Sequence, residues 1–125
     1  MIKLTGLNHI VLRTNKLDAM LQFYIQVLGC TIEKKQPEFH LTQLRAGHSL
    51  IDLINVDTPV EITAGNLAHF CLDIENSSYD ALIPHFEKYN IKPERLGERY
   101  SARGYGDSFY LTDPQGNEVE LALKM

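Results

Sequence analysis

Four residues of this chain put chemistry-bearing side chains into apolar settings: His9 in "LNHIVL", His69 in "LAHFCL", Asp52 in "LIDLI" and Glu120 in "VELAL". A buried imidazole or carboxylate costs free energy unless it is paired, hydrogen-bonded or bound to a metal. Two neutral imidazoles with one or two carboxylates form the mixed nitrogen and oxygen set that suits a divalent transition metal: Zn, Ni, Co, Mn or Fe(II). A single His in an apolar strand is ordinarily a hydrogen-bonded core residue. Here the two are related, because shifting the chain by 60 residues lays Leu7 on Leu67, His9 on His69 and Leu12 on Leu72. With 5 histidines in 125 residues, a matched position is His by chance about once in 25.

The elements that must position these groups follow the same repeat. Both His segments read as short apolar strands. Asn15 with Asp18 resembles a helix start, and Leu17, Met20, Leu21, Tyr24 and Leu28 recur at helical spacing toward Gly29, which predicts a helix over about 16–28. Ser77 with Asp80 opens the second helix, over about 78–89, which Asn90 ends in a left-handed conformation; Pro84 inside it should kink it or shift its start. After each helix come three strand signals: "CTIEKKQ", "FHLTQLR" and "LIDLINV" in the first half, "IKPERLGE", "DSFYLT" and "EVELAL" in the second. Each half is strand, helix, strand, strand, strand.

One such half has too few strands to close a sheet, so two halves side by side are expected to share an interior. The class is α+β: two βαβββ modules forming a curved, mostly antiparallel eight-stranded sheet with helices outside. The chain then divides into module one at about 5–56, a connector at 57–66 and module two at about 67–124, within a single domain over 1–125. Strand alternation puts His9 on a face with Leu7 and Val11, and His69 on a face with Leu67 and Cys71. Two imidazoles and two carboxylates are thereby related by the repeat.

Composition narrows the functional classes. A net charge of −4 argues against general nucleic-acid binding. No apolar run approaches the roughly 20 residues that cross a bilayer, and "MIKLTGLNHI" has no signal-peptide core, so no membrane partner and a cytoplasmic location are expected. Cys30 and Cys71, far apart and outside any C-x-x-C spacing, read as two reduced, mostly buried thiols rather than a disulfide or a zinc ribbon. His40 and His85 have no counterpart in the other half and read as surface or structural residues.

The stretches "LNHIVLRT", "QFYIQVLGC", "LAHFCLDI" and "DSFYLTDPQGNEVEL" resemble the vicinal oxygen chelate superfamily, which includes glyoxalase I, extradiol dioxygenases and the fosfomycin and bleomycin resistance proteins. The resemblance implies that His9, His69 and Glu120 bind a divalent metal, with Asp52 as a fourth ligand, directly or through water. It also implies Lewis-acid chemistry on a small substrate with adjacent oxygens, with Glu120 or Asp52 as the base that moves a proton. A glyoxalase-type lyase or isomerase is the leading expectation. The alternatives are an Fe(II) extradiol-type dioxygenase, from which Asp52 leans away because those enzymes have no fourth ligand, and a non-catalytic binding module. Val11, two residues after His9, departs from the polar residue of the fosfomycin transferases. Small members of the family pair as homodimers, which makes a homodimer the expected assembly.

The segment "GERYSARGYGD" reads as a glycine-rich loop whose Arg99, Arg103 and Tyr100 could contact substrate, since arginine's forked guanidinium suits an anionic group.

Overall fold

The computed structural model describes residues 1–61 and 65–124. It separates into two compact units, Met1–Val60 and Glu61–Met125. Part of the expected connector, residues 62–64, lies outside the described residues.

The first unit has β1 (His9–Thr14), a helix, β2 (Thr31–Gln36), β3 (Leu41–Ala46) and β4 (Ser49–Asn55). These strands form a four-stranded sheet in the order β1-β4-β3-β2. β1 and β4 run parallel, whereas the β3–β4 and β2–β3 pairs are antiparallel. The helix opens as α1 (Leu17–Leu21) and widens into a π-helical segment over Gln22–Val27. The widening is visible in the bond from the Leu28 N–H to the Phe23 carbonyl, five residues back. It starts at Leu17 with the Thr14 hydroxyl accepting from the Lys16 N–H at 2.9 Å, a different opening from the expected Asn15 cap. Met20, Phe23, Tyr24 and Val27 of this helix are buried, as are Leu12, Leu44, Ile51 and Leu53 of the strands. These residues make the core of the unit, and strand alternation leaves His9, Val11, Gln43 and Asp52 on the opposite sheet face.

The second unit repeats the plan. β5 (Phe70–Glu75), α2 (Tyr79–Lys88), β6 (Glu94–Ser101), β7 (Gly104–Thr112) and β8 (Glu118–Lys124) give the strand order β5-β8-β7-β6, again with the first and last strands parallel. Ser78 caps α2, its hydroxyl accepting from the Ala81 N–H at 3.2 Å, one residue later than the expected Ser77. The helix runs through Pro84, and Asn90 beyond its end is left-handed, with a φ of 59°. Tyr79 and Phe86 meet Phe109 edge to face, at ring-centre separations of 5.2 and 5.8 Å, fixing α2 against the apolar face of β7. The other face of this sheet carries His69, Glu120, Tyr110, Ser108 and Arg99.

Among the described residues the eight strands therefore lie in two four-stranded mixed sheets, one per unit, in an α+β fold. The segment read as a glycine-rich loop is mostly strand: β6 runs to Ser101 and β7 resumes at Gly104, leaving Ala102 and Arg103 at the turn. The two thiols also differ, because Cys30 is buried but Cys71 is exposed, which corrects the expectation of two mostly buried cysteines. Cys71 stands on β5, at one end of the strand order of its sheet. No helix among the described residues is long and apolar enough to cross a membrane.

Candidate metal centre

The second unit brings an imidazole, a carboxylate and a phenol together. Glu120 on β8 pairs in register with Cys71 on one side and Tyr110 on the other, and His69 precedes Cys71 by one strand repeat. His69 Nε2 lies 3.1 Å from Glu120 Oε1. The Tyr110 hydroxyl donates to the same oxygen at 3.1 Å, and the His69 and Tyr110 rings meet edge to face at 5.2 Å. Glu120 is buried, so these contacts offset the desolvation of its carboxylate. Loss of solvent first, and then the hydrogen bond to Glu120 and its charge, raise the Tyr110 hydroxyl above its ordinary pKa, while Arg99 and Arg95 pull it down.

Two arginines hold Tyr110 from outside. The Arg95 guanidinium lies 4.0 Å from the ring centre and that of Arg99 5.1 Å, within cation–π range. Arg95 sits with a φ of 55° at an irregularity of the β6–β7 pairing and is ion-paired to Glu118. Arg99 donates through Nη1 to the Gly97 carbonyl at 3.3 Å and to the Ser108 carbonyl and hydroxyl at 2.9 and 3.0 Å. Its Nη2 donates to the Arg95 carbonyl at 2.6 Å.

The first unit presents the equivalent set by itself. Asp52 on β4 is in register with Val11 and with Gln43, and His9 precedes Val11 by one strand repeat. Gln43 therefore stands where Tyr110 stands in the second unit. Its Nε2 donates to Asp52 Oδ2 at 3.3 Å, and Gln36 Nε2 donates to Gln43 Oε1 at 3.0 Å. Asp52 is 3% exposed, and its Oδ1 is buried with no hydrogen-bond partner among the described residues. His9 is exposed and its Nδ1 lies 2.7 Å from the Asn8 side-chain oxygen, which orients the ring and leaves Nε2 as its other nitrogen.

Among the described residues no group of three or more His, Cys, Asp or Glu side chains forms a metal-holding cluster; in each unit an imidazole and a carboxylate share one sheet face. These donors fit a divalent metal. Asp52 has a buried oxygen free to ligate, and His69 Nε2 and Glu120 Oε1 lie within contact distance of each other. Cys71 lies on the face of His69; partial loss of solvent first, and then the Glu120 and Asp73 charges, push its thiol up to about 12.

Of the remaining expected residues, Arg99 and Arg103 line a pocket of about 190 Å³ in the second unit, which Glu120 also lines. Tyr100 is exposed on the β6–β7 hairpin, edge to face with Tyr105 at 5.0 Å. Sequence reasoning missed Gln43, Gln36 and Tyr110. Tyr110 lies within a quoted strand, but its neighbour across the sheet depends on the pairing register, which no local pattern specifies.

A βαβββ unit that occurs twice, each time with an imidazole and an acid on one sheet face, defines a class of two-module α+β proteins. The family profile described as the glyoxalase/bleomycin resistance protein/dioxygenase superfamily matches residues 6–121, and the chain belongs to that superfamily. It is similar to biphenyl-2,3-diol 1,2-dioxygenase 3 of Rhodococcus globerulus, with 29% identity over 94% of this chain and 62% of that protein. It is also similar to catechol-2,3-dioxygenase of Bacillus subtilis (strain 168), with 28% identity over 94% of this chain and 41% of that protein. The chain thus spans only part of the length of both curated relatives. Among solved structures, an integron cassette protein from the mobile metagenome of V. cholerae matches with a TM-score of 0.77 and 26% identity, over 100% of this chain and 99% of that one.

Proposed function

We propose that this protein is a divalent-metal-dependent lyase or isomerase of the glyoxalase type, acting on a small substrate with adjacent oxygens. In this reading His9, His69 and Glu120 are metal ligands, with Asp52 as the fourth, and Glu120 or Asp52 is the base that moves a proton beside a substrate carbonyl. The observation that supports it is the buried, unpartnered Oδ1 of Asp52, at the repeat position of Glu120. Ligands limited to His, His and Glu would leave that oxygen unexplained.

When bound, the metal supplies Lewis-acid stabilisation of negative charge on the substrate oxygens. The chain's own groups do the rest. Gln43 holds Oδ2 of Asp52 and so aims Oδ1, while Tyr110 and His69 orient Glu120. Arg103 and Arg99 contact the substrate from the pocket that Glu120 also lines, with Tyr100 at its hairpin. The reading also takes residues 1–125 as one domain of a cytoplasmic homodimer, which sedimentation equilibrium and cell fractionation check.

A second reading, an Fe(II) ring-cleaving dioxygenase, is favoured by the names of the two curated relatives. Elemental analysis with turnover assays separates the two. Ni, Zn, Co or Mn with hemithioacetal or proton-exchange turnover and no oxygen uptake supports the first; iron with oxygen consumption on a catechol supports the second. Less than about a tenth of an equivalent of any transition metal, even after reconstitution, removes both and leaves a binding module.

A further inference from the structure

We propose that the second-unit pocket selects substrates bearing a carboxylate, received by the terminal nitrogens of Arg103, at the far end from the oxygens presented to Glu120. The proposal deepens the metalloenzyme reading and rests on it for the orientation of the substrate.

The two arginines of the pocket are not equivalent. Arg99 has both terminal nitrogens bonded to carbonyls and a hydroxyl of its own strands, so it builds the wall. Arg103 is bound differently. It stands at the β6–β7 turn, and its Nε donates to Asp73 Oδ2 on β5 at 2.8 Å. That bond fixes the plane of the guanidinium by its inner edge. Nη1 and Nη2 have no protein acceptor among the described residues, and together they form the edge that matches the two oxygens of a carboxylate. Asp73 is thus a positioning residue, preorganising a long side chain that would otherwise lose rotamer freedom on binding.

The charges around the pocket narrow the ligand further. Asp73, Asp107 and Glu120 line it together with Arg99 and Arg103. Asp73 is committed to Arg103, and Glu120 to His69 and Tyr110. The remaining acid, Asp107, opposes multiply charged anions, so a planar monoanion is favoured over a dianionic phosphate. Space comes from glycines at 104 and 106; a Cβ on Gly106 would lie 3.3 Å from the Leu123 carbonyl oxygen. The volume of about 190 Å³ admits a molecule the size of a substituted single ring or a short keto acid.

Isothermal titration or ligand-observed NMR tests the idea with two probe pairs. On metal-reconstituted protein, 3,4-dihydroxybenzoate should bind about tenfold more tightly than catechol, because Arg103 is half-exposed and its ionic hydrogen bonds are partly screened. Arg103→Gln should abolish that preference, and Arg103→Lys should restore about threefold of it, a charge without the fork. On metal-free protein, benzoate should bind weakly and more tightly than phenyl phosphate, and Arg103→Gln should remove this binding. Equal affinities for the first pair, a preference that survives Arg103→Gln, or stronger phenyl phosphate binding overturns the proposal. Loss of catechol binding to the reconstituted protein, with Arg103-dependent benzoate binding intact, instead overturns the metal reading alone.

Discussion

Replacing Asp113 by Ala should cost the fold about 2–4 kcal/mol. Asp113 opens the "DPQGN" turn between β7 and β8 and is 3% exposed. Its Oδ1 accepts from the N–H groups of Gln115 and Asn117, each at 2.9 Å, and its Oδ2 accepts from the Asn117 side-chain amide at 2.9 Å. Each bond to a charged acceptor contributes about 1.5–3 kcal/mol, and the buried carboxylate's own desolvation cancels part of that sum. The Gln115 and Asn117 donors would be left to water at a turn that is partly open, which sets the net figure. For a chain of this size the loss lowers Tm by about 10 °C. Asp113→Asn should cost only about 1 kcal/mol, because its oxygen can keep the two backbone donors while a flip of the Asn117 amide lets that oxygen accept from the new NH2. Urea denaturation followed by far-UV circular dichroism measures both. Asp113→Ala within about 0.5 kcal/mol of the parent, or Asp113→Asn as damaging as Ala, refutes the account. The consequence reaches the candidate site, since this turn fixes the register in which Glu120 faces Tyr110.

Two further predictions follow from groups away from the ligands. Burial pushes the Cys30 thiol from 9.0 up to about 11, so the native state favours the neutral form. That contribution is complete below the unfolded value and is lost as pH rises from about 9 to 11; Cys30→Ala should be less stable at pH 7 but lose about 2 kcal/mol less over this window, as urea titrations at several pH values report. Arg99→Met should lower stability by about 1–3 kcal/mol, because it strands the Ser108 and Arg95 carbonyls, and differential scanning fluorimetry should show the drop without any metal added.

Much of the plan is legible in the chain. The match of "LNHIVL" to "LAHFCL" and the apolar spacing of Leu17, Met20, Leu21 and Tyr24 carry the repeat and the helices, because local periodicity reports which side of an element is buried. The turn at "DPQGN" is legible for the same reason: Asp and Pro open a tight turn, and Gly116, with a φ of 99°, adopts a conformation that costs other residues. The π-helical widening at Gln22–Val27 and the extension of β6 and β7 through the expected loop are not. Two glycines and two arginines look like a loop until their neighbours across the hairpin, Arg99 with Gly106 and Tyr100 with Tyr105, are known.

The sequence by itself determined that each half carries one imidazole and one acid in apolar strands, since residue type and spacing are enough to mark a costly group that requires a partner. Only the tertiary structure decided the partners. β1 lies parallel to β4 and β5 to β8, contacts between segments far apart along the chain, and that pairing sets His69 against Glu120. It also matches Gln43 with Asp52 and Tyr110 with Glu120, and ties Arg99 to its own strands and Arg103, through Nε, to Asp73. Alternation along one strand reports which residues share a face; which residue sits opposite depends on register, and register is a property of the assembled sheet.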